Sequence, residues 1–190
     1  MITISAVILA GGLARRMGGV DKGLQLLNNQ PLVAHTLARL KNQIYQVSIN
    51  ANRNIDQYTQ FGVPVFQDEI EGFQGPLSGM LTALRHAKTD YVLFVPCDCP
   101  YLPLNLVAKL QSAVKKPGIL CAYAHDGERE HPTFCLISRQ LLTALEQYFA
   151  SGERRMLVFL REQHAVSVDF SEQKSAFRNF NTLADLQEQR

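Results

Sequence analysis

The stretch that most constrains what this chain can fold into is residues 5–24, SAVILAGGLARRMGGVDKGL. Residues 5–9 form a short apolar run of the kind that makes a strand buried on both faces. The run leads directly into Gly11-Gly12, Arg15-Arg16, Gly18-Gly19 and Asp21-Lys22. Glycines let a backbone approach a ligand closely, and successive free N–H groups in such a loop make a concave anion site. Two arginines and a lysine add positive charge that can answer a polyphosphate. Chemically, the stretch is a strand that ends in a phosphate cradle; the same residues would also suit a solvated basic loop. It is not the ATPase P-loop, because Lys22 is followed by Gly23 rather than Ser or Thr. Nor is it the Gly-x-Gly-x-x-Gly dinucleotide pattern, because Leu13 and Ala14 follow Gly11-Gly12.

Downstream, strand and helix signals alternate. Residues 45–51, 63–67, 91–95, 118–124, 133–137, 166–170 and 177–180 read as strands. Residues 31–40, 77–87, 102–114, 141–149 and 156–161 read as helices, and a C-terminal helix is predicted from about Leu183, with Thr182 as N-cap and Asp185 at the third position. This alternation predicts one α/β domain over residues 1–190, a doubly wound, Rossmann-like, mostly parallel sheet with a less regular second half. Ligands in such sheets bind beyond the carboxyl ends of the strands, at a switch point. Asn50 and Asp68 each end a predicted strand and Asp98 follows one, as the glycine loop does.

Composition narrows the function classes. Nineteen Lys and Arg against seventeen Asp and Glu give a net charge of +2, which argues against nucleic-acid binding driven by overall charge. The four cysteines have neither C-x-x-C nor zinc spacing, so reduced, buried thiols are expected. No apolar stretch reaches membrane-spanning length and no leader pattern opens the chain. These features predict a soluble cytoplasmic protein with no membrane or nucleic-acid partner.

Asp98, at the exit of a central strand, is placed to hold Mg²⁺ through oxygen, or to cap a turn before Pro100. Lys22 suits a phosphate or plain solvent. Asn50 and Asp68 suit ligand contacts or strand-ending turns.

The run Leu9-Ala10-Gly11-Gly12-x-x-x-Arg16-Met17-Gly18-Gly19-x-Asp21-Lys22-x-Leu24 resembles the signature of the molybdenum cofactor guanylyltransferase family, within the wider nucleotidyltransferases. The resemblance implies GMP transfer from GTP to the terminal phosphate of Mo-molybdopterin, giving the guanine dinucleotide cofactor and pyrophosphate, with Mg²⁺ as cofactor. It implies catalytic roles for Lys22, Arg16 and Asp98, with Asp98 on the metal. It implies nucleotide contacts from Leu9, Ala10, Gly11, Gly12, Lys22, Asn50, Asp68 and Asp98. Residues of about 1–115 would then bind the nucleotide and about 116–190 the acceptor, with Arg154, Arg155, Asn179 and Asn181 as acceptor candidates and His125 and His131 behind them. A monomer is expected, with transient contacts to cofactor-synthesis or molybdoenzyme-maturation proteins. Where the family usually has Gly-Lys-Pro-Leu this chain has Asn29-Gln30-Pro31-Leu32, so no phosphate role passes to Gln30. Cytidylyltransferases of this group tend to read Leu-Ala-Ala-Gly at positions 9–12; the absent methyl at Gly11 is expected to leave room for a purine. The alternatives are a cytidylyltransferase on molybdopterin or another phosphorylated acceptor, and a non-catalytic nucleotide-binding module.

Overall fold

The computed structural model describes residues 2–12, 20–70, 72, 75–181 and 185. Its centre is a seven-stranded sheet in the order β5-β4-β1-β6-β8-β7-β9. Here β1 is Ile4–Leu9, β4 Val47–Asn50, β5 Val65–Phe66, β6 Tyr91–Pro96, β7 Cys121–His125, β8 Glu130–Ser138 and β9 Val166–Asp169. The strands β5, β4, β1 and β6 run parallel, β8 runs antiparallel to both neighbours, and β9 is parallel to β7. Two short strands, β2 (Leu26–Leu27) and β3 (Gln30–Pro31), form a separate hairpin through left-handed Asn28 and Asn29. Asparagine tolerates that conformation, which a tight two-residue hairpin turn needs.

Alternation along the central strands builds two cores. Ala6 and Ile8 of β1 and Leu93 and Val95 of β6 pack against α1 (Leu32–Lys41) and α4 (Leu106–Val114). Val7, Val92 and Phe94 face the other way, against α3 (Pro76–His86), α5 (Leu142–Ala150) and α6 (Met156–Glu162). Helices on both faces explain why β6 reads as one unbroken apolar run. All four cysteines are buried and unpaired.

The parallel register sets the site. Leu9 lies opposite both Asn50 of β4 and Pro96 of β6. The chain winds outward from β1 to β4 and β5, then returns to β6 on the other side. That reversal is a topological switch point, and it opens a crevice at the strand ends.

Most sequence expectations match these elements, but the sequence does not predict the β2–β3 hairpin, and three further differences stand out. The helix α2 (Ile55–Thr59) has no counterpart in the sequence reading, because five residues with one buried side chain, Tyr58, show no period. The predicted helix 102–114 begins at Leu106. Residues 177–180 are not a strand: Phe177 ends a 3₁₀ segment, Ser171–Phe177, and the chain then runs irregularly. Phe177 and Phe180 each anchor in a different apolar cluster, and their shared hydrophobicity imitates a strand signal. Of the predicted C-terminal helix, Thr182, Leu183 and Ala184 lie outside the described residues.

Asp21 directly precedes the 3₁₀ turn Lys22–Leu24. Tyr58, fully buried, donates to Asp21 Oδ1 (2.5 Å), and Asn54 Nδ2 donates to Oδ2 (3.0 Å). Gly23 sits against the Tyr58 hydroxyl so closely that a β-carbon there would collide with it. Gly23→Ala is therefore expected to destabilise the fold by about 1–3 kcal/mol, the range for overpacking a rigid buried site. Urea unfolding measures it, and a change within error would mean that Tyr58 yields freely.

Candidate functional site

A cavity of about 610 Å³ opens at the switch point. Leu9, Ala10, Gly11, Gly12, Lys22, Asn50, Asp68, Asp98, Asn179 and Asn181 all line it, together with Gly75, Pro76, Cys97 and Thr133. The N-terminus of α3 opens on the cavity through Pro76, which brings the positive end of a helix dipole to its wall.

At one end three remote segments meet. Lys22 Nζ lies 3.2 Å from Asp98 Oδ2 and donates to Asn181 Oδ1 at 2.6 Å. Lys22 follows directly on the anchored Asp21, Asp98 follows β6, and Asn181 comes from the C-terminal segment. That segment is pinned where Phe180 N–H donates to the Asp98 carbonyl (2.9 Å) and Asn181 N–H to Asp185 Oδ2 (2.8 Å). The Cys99 thiol donates to Asn179 Oδ1 (2.8 Å), which leaves that amide's own N–H donors to serve elsewhere. Burial, reinforced by the Asp98 charge, pushes the Cys97 and Cys99 thiols well up, which favours their protonated forms beside the site.

At the other end lies an amide and carboxylate cluster. Asn50, 2% exposed, donates from Nδ2 to Asp68 Oδ1 (2.8 Å). Asn52 Nδ2 donates to Asp68 Oδ2 (3.1 Å) and to the Gly11 carbonyl (3.2 Å), while Asn52 Oδ1 accepts from Asp68 N–H (2.8 Å). The Asn50 amide also packs on Gly79 of α3, where any β-carbon would overlap it. Glycine inside a helix costs about 0.5–1 kcal/mol relative to Ala, so its presence here reflects that close approach.

This cluster adds a reason for Gly11 that involves no base. A β-carbon at Gly11 would stand 2.8 Å from Asn52 Nδ2 and 3.2 Å from Asn50 Oδ1. The methyl is excluded by the two amides that hold Asp68, whereas at Gly12 a β-carbon meets nothing within 4 Å among the described residues.

Other expected site residues lie elsewhere. Arg16 falls outside the described residues, as does Arg15. The cavity lining does not include Arg154 or Arg155. Arg154 stacks on Phe149 (3.7 Å) and donates to its carbonyl, and Arg155 pairs with Glu153 (3.2 Å). His131 stacks on Phe177 and bonds Asp126 Oδ2 (2.8 Å), a structural use that leaves it off the cavity wall. Sequence reasoning missed Asn52, Gly79, Cys97 and Thr133. Only the polar run 52–54 carried a signal, and it reads as a turn.

The domain matches the MobA-like NTP transferase domain family over residues 6–167. The chain is 64% identical over 186 residues to the molybdenum cofactor guanylyltransferase of Pasteurella multocida, covering 98% of each chain. The chain belongs to this family. The Haemophilus influenzae KW20 molybdenum cofactor guanylyltransferase is 61% identical over 97% of this chain and 96% of its own. In fold, the transferase resembles molybdopterin-guanine dinucleotide biosynthesis protein A of Archaeoglobus fulgidus (TM-score 0.78, 22% identity, covering 97% and 95%). It also resembles a CMP:2-keto-3-deoxy-manno-octonic acid synthetase solved with CTP (TM-score 0.72, 14% identity, covering 98% and 96%). It is thus a nucleotidyltransferase, and its near relatives are named for guanylyl rather than cytidylyl transfer.

Two residues before Asn179, Phe177 stacks on His131, which Asp126 of the β7–β8 turn holds. Burial would raise the Asp126 carboxyl, but hydrogen bonds from His131 and from the Arg129 and Glu128 backbone outweigh it and hold the group well below its usual range. A depressed carboxyl stabilises the fold above its unfolded pKa, about 3.9, and that stability fades as pH falls through the folded value. Melting temperature should therefore drop on acidification below about pH 4, and Asp126→Asn should flatten that slope while lowering the plateau above it. Parallel slopes in the two proteins would remove Asp126 as the cause.

Proposed function

We propose that this transferase moves GMP from GTP onto the terminal phosphate of Mo-molybdopterin, releasing pyrophosphate. One observation carries the reading: Lys22, Asp98 and Asn181 converge across a cavity whose far end holds a braced carboxylate. In the reaction an acceptor phosphate oxygen attacks the α-phosphorus of GTP, a phosphoanhydride bond forms, and the bond to the pyrophosphate leaving group breaks. A phosphate monoester with a second pKa near ~6 is largely ionised at neutral pH, so no protein base is needed. Catalysis then rests on positioning and on charge complementarity.

Lys22, with Arg16 of the same loop, stabilises charge on the leaving pyrophosphate. The glycine backbone of residues 11–12 and the α3 N-terminus orient the phosphates. At the base end, each Asp68 oxygen accepts one amide N–H and keeps a further lone pair. Two adjacent acceptors suit the N1–H and amino group of guanine; cytosine and adenine offer no such donor pair. Asn179 and Asn181, with residues of about 116–190, face the acceptor, with Arg154 and Arg155 further out.

Among the described residues no group of three or more His, Cys, Asp or Glu gathers into a metal centre. Asp98 and Asn181 do present two oxygen donors to one cation, the Lys22 ammonium. That donor set fits Mg²⁺, which commonly takes one or two carboxylates and fills the rest of its shell with water and substrate phosphates. Asp98, with Asn181, would hold the ion, whose chemistry there is neutralisation of phosphate charge. No helix among the described residues is long and apolar enough to cross a membrane. The buried free thiols agree with a reducing cytoplasm, where the protein would act as a monomer with transient contacts to cofactor-maturation proteins.

A nucleotide screen with molybdopterin and Mg²⁺ tests the base assignment. GTP should be preferred over CTP and ATP by about 100-fold or more in kcat/KM, as for sites that hydrogen-bond their base. Equal use of CTP would sink the guanine reading. Lys22→Ala should lower kcat by about 100-fold, the usual cost of a charge-stabilising donor. Asp98→Asn should keep the fold and lose most Mg²⁺-dependent turnover; normal turnover at low Mg²⁺ would remove Asp98 from the metal.

A further inference from the structure

We propose that Asn52, which lies behind the cavity and does not line it, is a positioning residue that sets base selectivity by fixing the Asp68 carboxylate relative to the Gly11 backbone.

Asn52 makes three bonds with one side chain. Its Nδ2 donates to Asp68 Oδ2 (3.1 Å) and to the Gly11 carbonyl (3.2 Å), and its Oδ1 accepts the Asp68 backbone N–H (2.8 Å). It therefore joins two strand exits, the loop after β1 and the segment after β5. Asn50 alone would hold only Asp68 Oδ1 (2.8 Å), about which the carboxylate could still swing. With Asn52 on Oδ2 as well, both oxygens are held and the carboxylate plane is set.

The free lone pairs, one on each oxygen, then face a fixed direction. Selectivity between bases depends on such fixed acceptors, because a mobile carboxylate can turn to suit other partners. The Gly11 contact adds a second constraint. The backbone against which a nucleotide would lie is held by the same amide, and the absent β-carbon at Gly11 is what admits that amide. No charge is introduced, so Asn52 steadies Asp68 without changing the field at the phosphate end.

The inference rests on the reading that Asp68 recognises guanine, and the experiment separates the two. Calorimetric Kd values for GTP and for inosine triphosphate, which lacks only the exocyclic amino group, give a selectivity ratio without acceptor or turnover. They are measured on the unaltered protein, Asn52→Ala, Asp68→Asn and the double variant, with melting temperatures alongside. The unaltered protein should favour GTP by about 10-fold or more, as expected for loss of a buried hydrogen-bonding group. Asn52→Ala and Asp68→Asn should each bring the ratio to within about twofold, and the double variant should add nothing, as for residues acting as one unit. If Asn52→Ala weakens both nucleotides equally and keeps the ratio, its role is structural only and the proposal is overturned. If Asp68→Asn keeps the ratio, the base reading itself falls and the Asn52 inference falls with it. Should Asn52→Ala not fold, Asn52→Ser, which keeps an acceptor for Asp68 N–H but cannot reach all three partners, is judged by the same ratio.

Discussion

Everything at this site depends on a register: Leu9 stands between Asn50 and Pro96 across three parallel strands. Because the three exits are level, the residues that follow them reach one cavity from three directions. A shift of one residue in any of these strands would turn alternate side chains to the opposite face. It would also exchange the two cores, since Val7 and Ile8 serve different helix layers. Packing and function are therefore enforced by the same pairing, and neither can drift without the other.

Around that register the polar groups organise in two stages. Backbone exits bring residues close, and side chains behind the cavity then fix their orientation. Asp21 illustrates the second stage: its carboxylate is consumed by Tyr58 and Asn54, so its contribution is to set where Lys22 begins. Cys99 does the same for Asn179, and Arg53 for the loop base, where its guanidinium donates to both the Gly12 and the Val20 carbonyls (3.4 Å each).

The sequence made the front of the site legible and left its backing hidden. Leu9 and Asn50 end strands, and Ala10, Gly11, Gly12, Asp68 and Asp98 follow within three residues of one; strand ends can be read from apolar runs, and Lys22 from its place in the glycine-rich motif. Asn52 and Cys99 act through partners far along the chain, Asp68 and Asn179, and no local period reports such pairings. Gly11 was legible as a required glycine, but not its closeness to the Asn50 and Asn52 amides, 39 and 41 positions downstream. Arg154 and Arg155 show the opposite case. Charge marked them as candidates, yet a ring and a neighbouring carboxylate take up their guanidinium groups. In the fold, a lone apolar period sufficed for the long helices, while α2 and the irregular 178–181 segment take their form from single buried aromatics.

The one reversed strand in the sheet has a further consequence. Because β8 runs against its neighbours, the turn that joins it to β7 lies at the same end as the cavity, and Thr133 reaches the wall from near the beginning of a strand. That turn is itself packed: Asp126 is buried, accepts the Glu128 and Arg129 N–H groups and holds His131. A change of length there would therefore disturb the stacking of His131 on Phe177 as well as the start of β8. The opposite wall of the cavity is built differently, from residues at the ends of parallel strands. One strand's direction thus ties part of the cavity wall to a packed turn rather than to a strand end.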